Sequence, residues 1–284
     1  MKTIAIIGSG ELAGTLASRI AGSGLARRVV LVDGDEGRAR GKALDVLQSG
    51  PVDGFDTQVV GASDLGAVGA ADAVVIADPE ELADPVLAGG RAERLVSRLR
   101  PAIGKGLLLA AAADPSTVVE AAVRAEVPRE RVLGSAPVAW RSALCRRVAS
   151  ELGVEPREVT ATALGLPPPR LVVPAGSVAL AGIPVERLSP VALRRALEAA
   201  QRRQPGPVAL ASAAARVLLA IQGSRPSVLP VVAALQGEYG HRRIALAVPA
   251  RLGGGRLQEI VELPLEPVDR VAFDNAAQRR YEQR

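Results

Sequence analysis

A short glycine-rich turn near the start of the chain has the residue types that could bind a phosphate. The apolar run from Thr3 to Ile7 predicts a buried strand, and a Gly-x-Gly turn follows it directly, with a helical pattern behind. Gly8 permits the tight turn, and Gly10 lets the backbone approach a pyrophosphate at the N-terminus of the helix. We therefore predict that this turn binds the phosphates of a dinucleotide, through Gly8, Ser9, Gly10, Glu11 and Leu12.

A carboxylate at the end of the next apolar run predicts which dinucleotide this would be. The run from Val29 to Val32 predicts a second strand, and Asp33 follows it where an acidic residue accepts a hydrogen bond from a ribose 2′-hydroxyl. A 2′-phosphate would meet like charge there, so Asp33 favours NAD over NADP. The same residues also fit a protein that has kept the turn and lost the ligand, and the sequence leaves that alternative open.

The elements that must position these residues alternate between strands and helices. Strand patterns from Ala73 to Ala77, from Gly106 to Ala112 and from Arg131 to Gly134 each follow a helical stretch. Alternation of this kind predicts a parallel sheet covered by helices. The first half of the chain is therefore predicted to be an α/β unit with a Rossmann-type, doubly wound parallel sheet.

The composition excludes several classes of protein. With 284 residues, of which 48% are hydrophobic, the chain can bury the cores of two domains and is not disordered. Its arginines are scattered and only 2% of the residues are aromatic, so we predict no nucleic-acid interface. No apolar stretch reaches the ~20 residues of a membrane span. The single cysteine, Cys145, excludes an internal disulfide, and we predict a cytoplasmic protein without a signal peptide or membrane contact.

Motifs spread along the chain resemble those of the malate and lactate dehydrogenases. They are Gly41-Lys42-Ala43-Leu44-Asp45, Ala181-Gly182-Ile183-Pro184, Gln236-Gly237-Glu238-Tyr239-Gly240 and Val248-Pro249-Ala250-Arg251-Leu252-Gly253. Their order and spacing match over nearly the whole chain, which makes the resemblance specific. It implies an NAD-binding Rossmann-like domain over residues 1–135, an α+β C-terminal domain over residues 136–284, and a homo-oligomer that is either a dimer or a tetramer.

The resemblance also locates the positions at which the family performs its chemistry, and these positions are changed. Family members move a hydride between the nicotinamide and a 2-hydroxy or 2-oxo acid. They use a histidine as acid and base, an aspartate that orients it, and arginines that bind the substrate. Pro167 stands at the histidine position, Trp140 at the aspartate position and Ala143 at an arginine position. None of the three can carry a proton or clamp a carboxylate, so we predict no catalytic residue of the family's kind.

Acidic residues replace the arginines of the family's mobile substrate loop. The segment from Ala77 to Asp84 carries Asp78 and Glu80, which would repel a dicarboxylate. Asp114 replaces the neutral amide of a turn near the nicotinamide. We therefore expect Asp78, Glu80 and Asp114 to add negative charge beside the nicotinamide pocket. The next arginine along the chain is Arg91, and nothing in the sequence brings it inward.

Other chemistry has little support in the sequence. Cys145 lies on a predicted helix with no histidine near it, which favours a buried hydrophobic role over that of a nucleophile. The one histidine, His241, lies in a predicted turn, and we expect it to be structural. The sequence has no His/Cys cluster, no P-loop and no nucleophile elbow, so we also predict no metal site.

Three hypotheses for the function remain open on this basis. The first is a catalytically inactive family member that retains NAD(H) binding and acts as a sensor or scaffold, with an unknown protein partner. The second is an active NAD-dependent oxidoreductase on a 2-hydroxy or 2-oxo acid such as malate, with a rearranged active site. The third is a cofactor-free structural subunit that works through its oligomer surfaces.

Overall fold

The apolar runs of the first half form a parallel sheet. The computed structural model describes residues 1–69, 71–78 and 88–283. The strands are β1 (Thr3–Ile7), β2 (Arg28–Val32), β3 (Gln58–Ala62), β4 (Ala73–Ile76), β5 (Leu107–Ala110) and β6 (Val132–Gly134). They pair in parallel in the order β3-β2-β1-β4-β5-β6. The strand order reverses at β1, which confirms the predicted doubly wound Rossmann sheet.

The helices between these strands begin and end at local sequence signals. They are α1 (Glu11–Gly22), α2 (Glu36–Asp53), α3 (Ala88–Ile103) and α4 (Ser116–Arg124). Asp35 caps α2 by accepting a hydrogen bond from the Arg38 amide at 3.0 Å, and Gly54 ends it with a φ of 75°. In α1, Leu16 and Ile20 are four residues apart and fully buried. Right-handed crossovers place α1 and α2 on one face of the sheet, and α3 and α4 on the other.

The second half extends this sheet with antiparallel strands. Its helices are α5 (Ala136–Leu152), α6 (Val185–Leu188), α7 (Pro190–Arg202), α8 (Pro207–Gln222) and α9 (Pro267–Glu282). Its strands are β7 (Val159–Thr160), β8 (Leu164–Gly165), β9 (Leu171–Val172), β10 (Ala179–Leu180), β11 (Ile183–Pro184), β12 (Ser227–Gln236), β13 (Arg242–Gly253) and β14 (Arg256–Ile260). β12 pairs with β6 and β13, while β7, β10 and β11 form a small separate sheet. The large sheet contains strands from both sides of residue 135, since β6 pairs with β12. The division into two domains at that residue therefore remains a prediction.

Aliphatic side chains build most of the core, as the low aromatic content requires. Trp140 and Phe273 are the largest of the fully buried side chains, and both belong to the main cluster around the large sheet. A second cluster, which includes Cys145 and Leu193, lies between α5, α7 and the small sheet. No single helix in the described part of the chain is long and apolar enough to cross a membrane. α7 and α8 reach that length only together, across a 101° bend.

A buried ion pair joins the C-terminal helix α9 to α4. In α9, Arg280 Nε donates to Glu120 Oε1 of α4 at 2.9 Å, and Arg280 Nη2 donates to Oε2 at 3.1 Å. The amide of Ala245 in β13 donates to the same carboxylate at 2.9 Å. The two side chains are only 6% and 3% exposed. Removing Arg280 would therefore take its closest described ion-pair partner from a buried carboxylate, leaving Arg124 Nη1 at 3.7 Å from Glu120 Oε2.

We expect Arg280→Met to lower the free energy of unfolding by about 3–5 kcal/mol, because Glu120 would keep a buried charge. Urea unfolding followed by circular dichroism measures the loss, with Arg279→Met on the exposed side of α9 as the matched control. Adding Glu120→Gln to the variant should recover part of the loss. A loss under about 1 kcal/mol for Arg280→Met would show that this ion pair does not hold α9 in place.

Candidate nucleotide site

The carboxyl ends of β1, β2 and β4 meet at one edge of the sheet and bring predicted site residues together. β1 lies between the other two strands, and the amide of Ala77 donates to the Ile7 carbonyl at 3.1 Å just past the ends of β4 and β1. Gly8 follows β1, Asp33 follows β2, and Asp78 lies two residues beyond β4. Strand order reverses here, and open α/β sheets usually bind their ligand at such a point.

Neighbouring groups hold Asp33 in a defined orientation. Ser9 Oγ donates to Asp33 Oδ2 at 2.7 Å, while the Asp35 amide and Arg38 Nη2 donate to Oδ1 at 3.0 and 3.2 Å. Burial opposes ionisation, but these hydrogen bonds and the charge of Arg38 hold the pKa of Asp33 below its ordinary value. Asp33 is thus an ionised acceptor, as a ribose site requires, and the Ser9 hydroxyl supports it. Glu11 is exposed in the first turn of α1.

A cavity of about 500 Å³ opens beside this edge of the sheet. Gly8 and Asp33 lie on one side of it, and α3 lines the other with Arg91, Arg94 and Arg98. The three arginines are spaced three and four residues apart, so they share one face of α3. The sequence did not predict that Arg91 faces inward, because that depends on how α3 is rotated against the sheet. A basic wall of this kind suits an anionic ligand such as a nucleotide.

The Asp78 side chain packs against the glycine turn after β1. From the sequence we expected it beside the nicotinamide pocket, and that expectation was wrong. Asp78 Oδ2 accepts a hydrogen bond from the Leu12 amide at 3.2 Å, and the amides of Gly10 and Ala13 also face the carboxylate. Amides at the N-terminus of a helix such as α1 are the ones that a bound pyrophosphate would use. The reason is the parallel pairing of β4 with β1, which brings the residues after β4 onto the turn after β1.

The Asp78 carboxylate is only partly satisfied where it lies. Its Oδ1 is buried and has no hydrogen-bond partner in the described part of the chain. Leaving a buried acceptor unpaired costs about 1–3 kcal/mol. Burial raises the pKa of Asp78, the nearby Asp33 carboxylate raises it further, and the turn amides oppose both effects. The ionised side chain therefore lowers the stability of the fold relative to a neutral one.

We expect Asp78→Asn to raise the Tm at neutral pH. The folded-state pKa of Asp78 lies above its ordinary value of 3.8. Its ionised form therefore destabilises the wild type above that folded-state pKa, and the penalty is relieved as the pH falls through it. Thermal melts from about pH 8 to about pH 4 should show the gain shrinking. Asp72→Asn, at the opposite end of β4, is the control, and a gain independent of pH would contradict the interpretation.

The three positions expected to lack the family's catalytic groups hold side chains that do not titrate. Pro167 is buried in the turn between β8 and β9, where its carbonyl accepts from the Arg170 amide at 3.0 Å. Trp140 is 1% exposed in α5, and Ala143, nearly one turn further on, is exposed. These positions supply no proton carrier and no anion clamp.

Three buried polar atoms near the ends of β5 and β6 have no hydrogen-bond partner among the described residues. They are Trp140 Nε1, Ser116 Oγ and Ser135 Oγ. Pro115 packs against Gly134, which brings Ser116, at the start of α4, near Ser135, which follows β6. Buried polar groups of this kind are normally satisfied by an ordered water or by a ligand. Sequence motifs did not reveal them, because a missing hydrogen-bond partner depends on tertiary packing.

His241 lies far from this edge of the sheet. It follows β12, and its Nε2 is 2.9 Å from Asp274 Oδ1 in α9. The turn that contains it is adjacent to the start of β6, since Arg129 bonds to Glu238 Oε1 at 2.8 Å. Gly8 and Asp33 follow the ends of their strands, whereas His241 lies at the opposite end. The contact with Asp274 joins this turn to α9, and the structural role expected for this histidine stays a prediction.

Cys145 and Asp114, two further residues considered in the sequence analysis, do not line the cavity. Cys145 packs in the second core cluster, where burial raises the pKa of its thiol and Arg141 opposes that rise. Asp114 is exposed, and its Oδ1 accepts from the Ser116 amide at 3.2 Å. Glu80 and the rest of the acidic segment after Asp78 lie outside the described residues. Within those residues, no group of three or more His, Cys, Asp or Glu side chains could hold a metal.

Comparison with known proteins decides the family. A sequence profile described as "NADP oxidoreductase coenzyme F420-dependent" matches residues 3–99. A malate dehydrogenase from Thioalkalivibrio sulfidiphilus is 34% identical over 296 residues, which cover 97% of this chain and 96% of that protein. The chain belongs to the malate dehydrogenase family.

Further malate dehydrogenases support this assignment over nearly the full length. The one from Chloroherpeton thalassium is 31% identical over 96% of this chain and 94% of its own. The solved malate dehydrogenase from Salinibacter ruber superposes with a TM-score of 0.92 at 26% identity, over 99% of this chain and 96% of that one. The family and the fold predicted from the sequence are both confirmed.

Membership of the malate dehydrogenase family and the Rossmann unit imply NAD(H) as the cofactor. The adenosine end of the site fits this cofactor, since Asp33 is an oriented acceptor beside an open cavity with a basic wall. The pyrophosphate end does not fit while Asp78 holds the turn, because the carboxylate and the phosphates need the same amides.

Proposed function

We propose that this member of the malate dehydrogenase family binds NAD(H) without performing the family's hydride transfer. The observation that carries the proposal is Pro167, a buried proline at the position where the family has its acid/base histidine. Loss of a positioned acid or base costs on the order of 10²–10⁴ in rate. Trp140 and Ala143 remove the orienting carboxylate and an arginine clamp as well, so losses of positioning add to the loss of proton transfer.

The role that follows is regulatory or structural. A protein that binds NAD(H) and leaves it unchanged can respond to the amount of the nucleotide by changing its stability or its contacts. Such a sensor or scaffold needs a protein partner, and we place it in the reducing cytoplasm, consistent with a single buried cysteine.

A turnover assay tests this proposal. Purified protein is given NADH or NADPH with oxaloacetate, pyruvate or 2-oxoglutarate, and oxidation of the nicotinamide is followed by absorbance. The Salinibacter ruber malate dehydrogenase, prepared and assayed in the same way, is the positive control. We expect the chain's rate to lie at least about 10⁴-fold below the control with every substrate, because the acid/base group is missing. Turnover within about 100-fold of the control would overturn the proposal.

An active dehydrogenase with a rearranged site is the second candidate. The names of its relatives favour it, since the proteins from Thioalkalivibrio sulfidiphilus and Chloroherpeton thalassium, which match nearly the whole chain, are both called malate dehydrogenases. The unpartnered hydroxyls of Ser116 and Ser135 favour it too, because they could bind a polar substrate group. If turnover is found, Ser116→Ala and Ser135→Ala should lower it, whereas Ser212→Ala on α8 should not.

Assembly into a homo-oligomer, expected from the family resemblance, also remains a proposal. Leu44 and Leu47 of α2 and Leu219 of α8 are 55%, 39% and 42% exposed, and both helices flank α1. Apolar side chains gathered on neighbouring helices are typical of a surface that another subunit covers. Light scattering gives the mass in solution.

A further inference from the structure

The backbone amides of the β1–α1 turn can donate hydrogen bonds either to the Asp78 carboxylate or to the pyrophosphate of a dinucleotide. Asp78 Oδ2 accepts from the Leu12 amide at 3.2 Å, and the amides of Gly10 and Ala13 face the same carboxylate. The pyrophosphate of a dinucleotide would use the amides of this same turn at the start of α1. Two anions cannot share these donors, because each would lose its hydrogen bonds and meet like charge at close range.

The glycines of the turn make room for Asp78 as well as for a phosphate. A Cβ at Gly8 would lie 2.5 Å from Asp78 Oδ1, and a Cβ at Gly10 would overlap Oδ2. Gly8 also has a φ of 113°, which side chains rarely tolerate. The two glycines that predict dinucleotide binding are therefore equally required by the carboxylate that lies there.

We propose that Asp78 is an internal competitor of the cofactor, whose carboxylate occupies the pyrophosphate position on the β1–α1 turn. NAD(H) then binds only to the fraction of molecules in which the carboxylate has left the turn, and its apparent affinity is reduced by that fraction. The inference rests on the proposed function only in taking NAD(H) as the ligand class.

Asp78 divides the site into two parts that respond differently. The adenosine end, between Asp33 and the arginines of α3, does not use the turn amides. A nucleoside without phosphate should bind there equally well whether or not Asp78 is present. A ligand with a pyrophosphate must displace the carboxylate, and it also meets the charge of Asp33 beside it. The change in this affinity difference between the wild type and an Asp78 variant therefore reports on Asp78, because Asp33 and the α3 arginines are the same in both proteins.

Calorimetric titration tests the competitor directly. The wild type, Asp78→Ala and Asp78→Asn are titrated with NADH, ADP-ribose and adenosine. Asp72→Ala is the matched control, because Asp72 also accepts a backbone hydrogen bond, from the Thr3 amide at 3.0 Å, but at the opposite end of β4. Circular dichroism establishes that each variant is folded before it is titrated.

We expect Asp78→Ala to bind NADH and ADP-ribose at least about tenfold more tightly than the wild type, since the turn amides become free for the phosphates. Asp78→Asn, which loses the charge but keeps an acceptor, should gain less. Adenosine should bind all four proteins with affinities within about twofold of one another, and Asp72→Ala should match the wild type throughout.

Equal NADH affinity in the folded wild type, Asp78→Ala and Asp78→Asn would overturn the inference. So would a gain that adenosine shares, because it would point to a general change in the cavity. Failure of this inference can be distinguished from failure of the proposed function, because the first is measured by binding and the second by turnover. An Asp78→Ala variant that binds NADH tightly supports the competitor whether or not the wild type turns over a substrate, and only turnover overturns the proposal of lost hydride transfer.

Discussion

The parallel pairing of β4 with β1 is the constraint on which the site depends. The pairs from Ile4–Ala73 to Ile7–Ile76 align the two strands, so the segments that follow them leave the sheet side by side. The turn after β1 ends at the N-terminus of α1, where free amides and the helix dipole attract an anion. In this chain that anion is supplied from within the protein, by the residue two positions after β4. The turn amides thus have an acceptor without a ligand, although burial raises the pKa of the carboxylate that supplies it.

The two functional parts of a dehydrogenase are separable in this fold. Nucleotide binding depends on the edge of the parallel sheet, where Asp33 keeps its supporting hydrogen bonds and the α3 arginines line an open cavity. The family resemblance places the groups for hydride transfer in α5 and in the β8–β9 turn, where this chain has Trp140 and Pro167. Pro167 and Trp140 are both buried. Under the proposed function, the chain keeps the first part while the second has changed.

Local patterns predict the fold and half of the site. Gly8, Gly10 and Asp33 are recognisable because each lies within a few residues of the strand that positions it, and Pro167 and Trp140 because motifs flank them. Asp78 is 66 residues away from Leu12, so their contact depends on the strand order, which alternation of strands and helices does not specify. Arg91, Arg94 and Arg98 have helical spacing, but which side of α3 faces the cavity is a matter of tertiary packing. The unpartnered Ser116 and Ser135 have no sequence signal at all.

The most direct test of the central claim is to follow the turn amides by NMR as the pH is lowered. If the Asp78 carboxylate holds the turn, the amide resonances of Gly10, Leu12 and Ala13 should titrate together, with an apparent pKa above the ordinary aspartate value of 3.8. The same resonances should stop titrating in Asp78→Asn, while the fold of the variant, followed by circular dichroism, stays that of the wild type. The account would be contradicted if the chemical shifts of these amides did not change with pH in the wild type, or if they changed equally in Asp78→Asn.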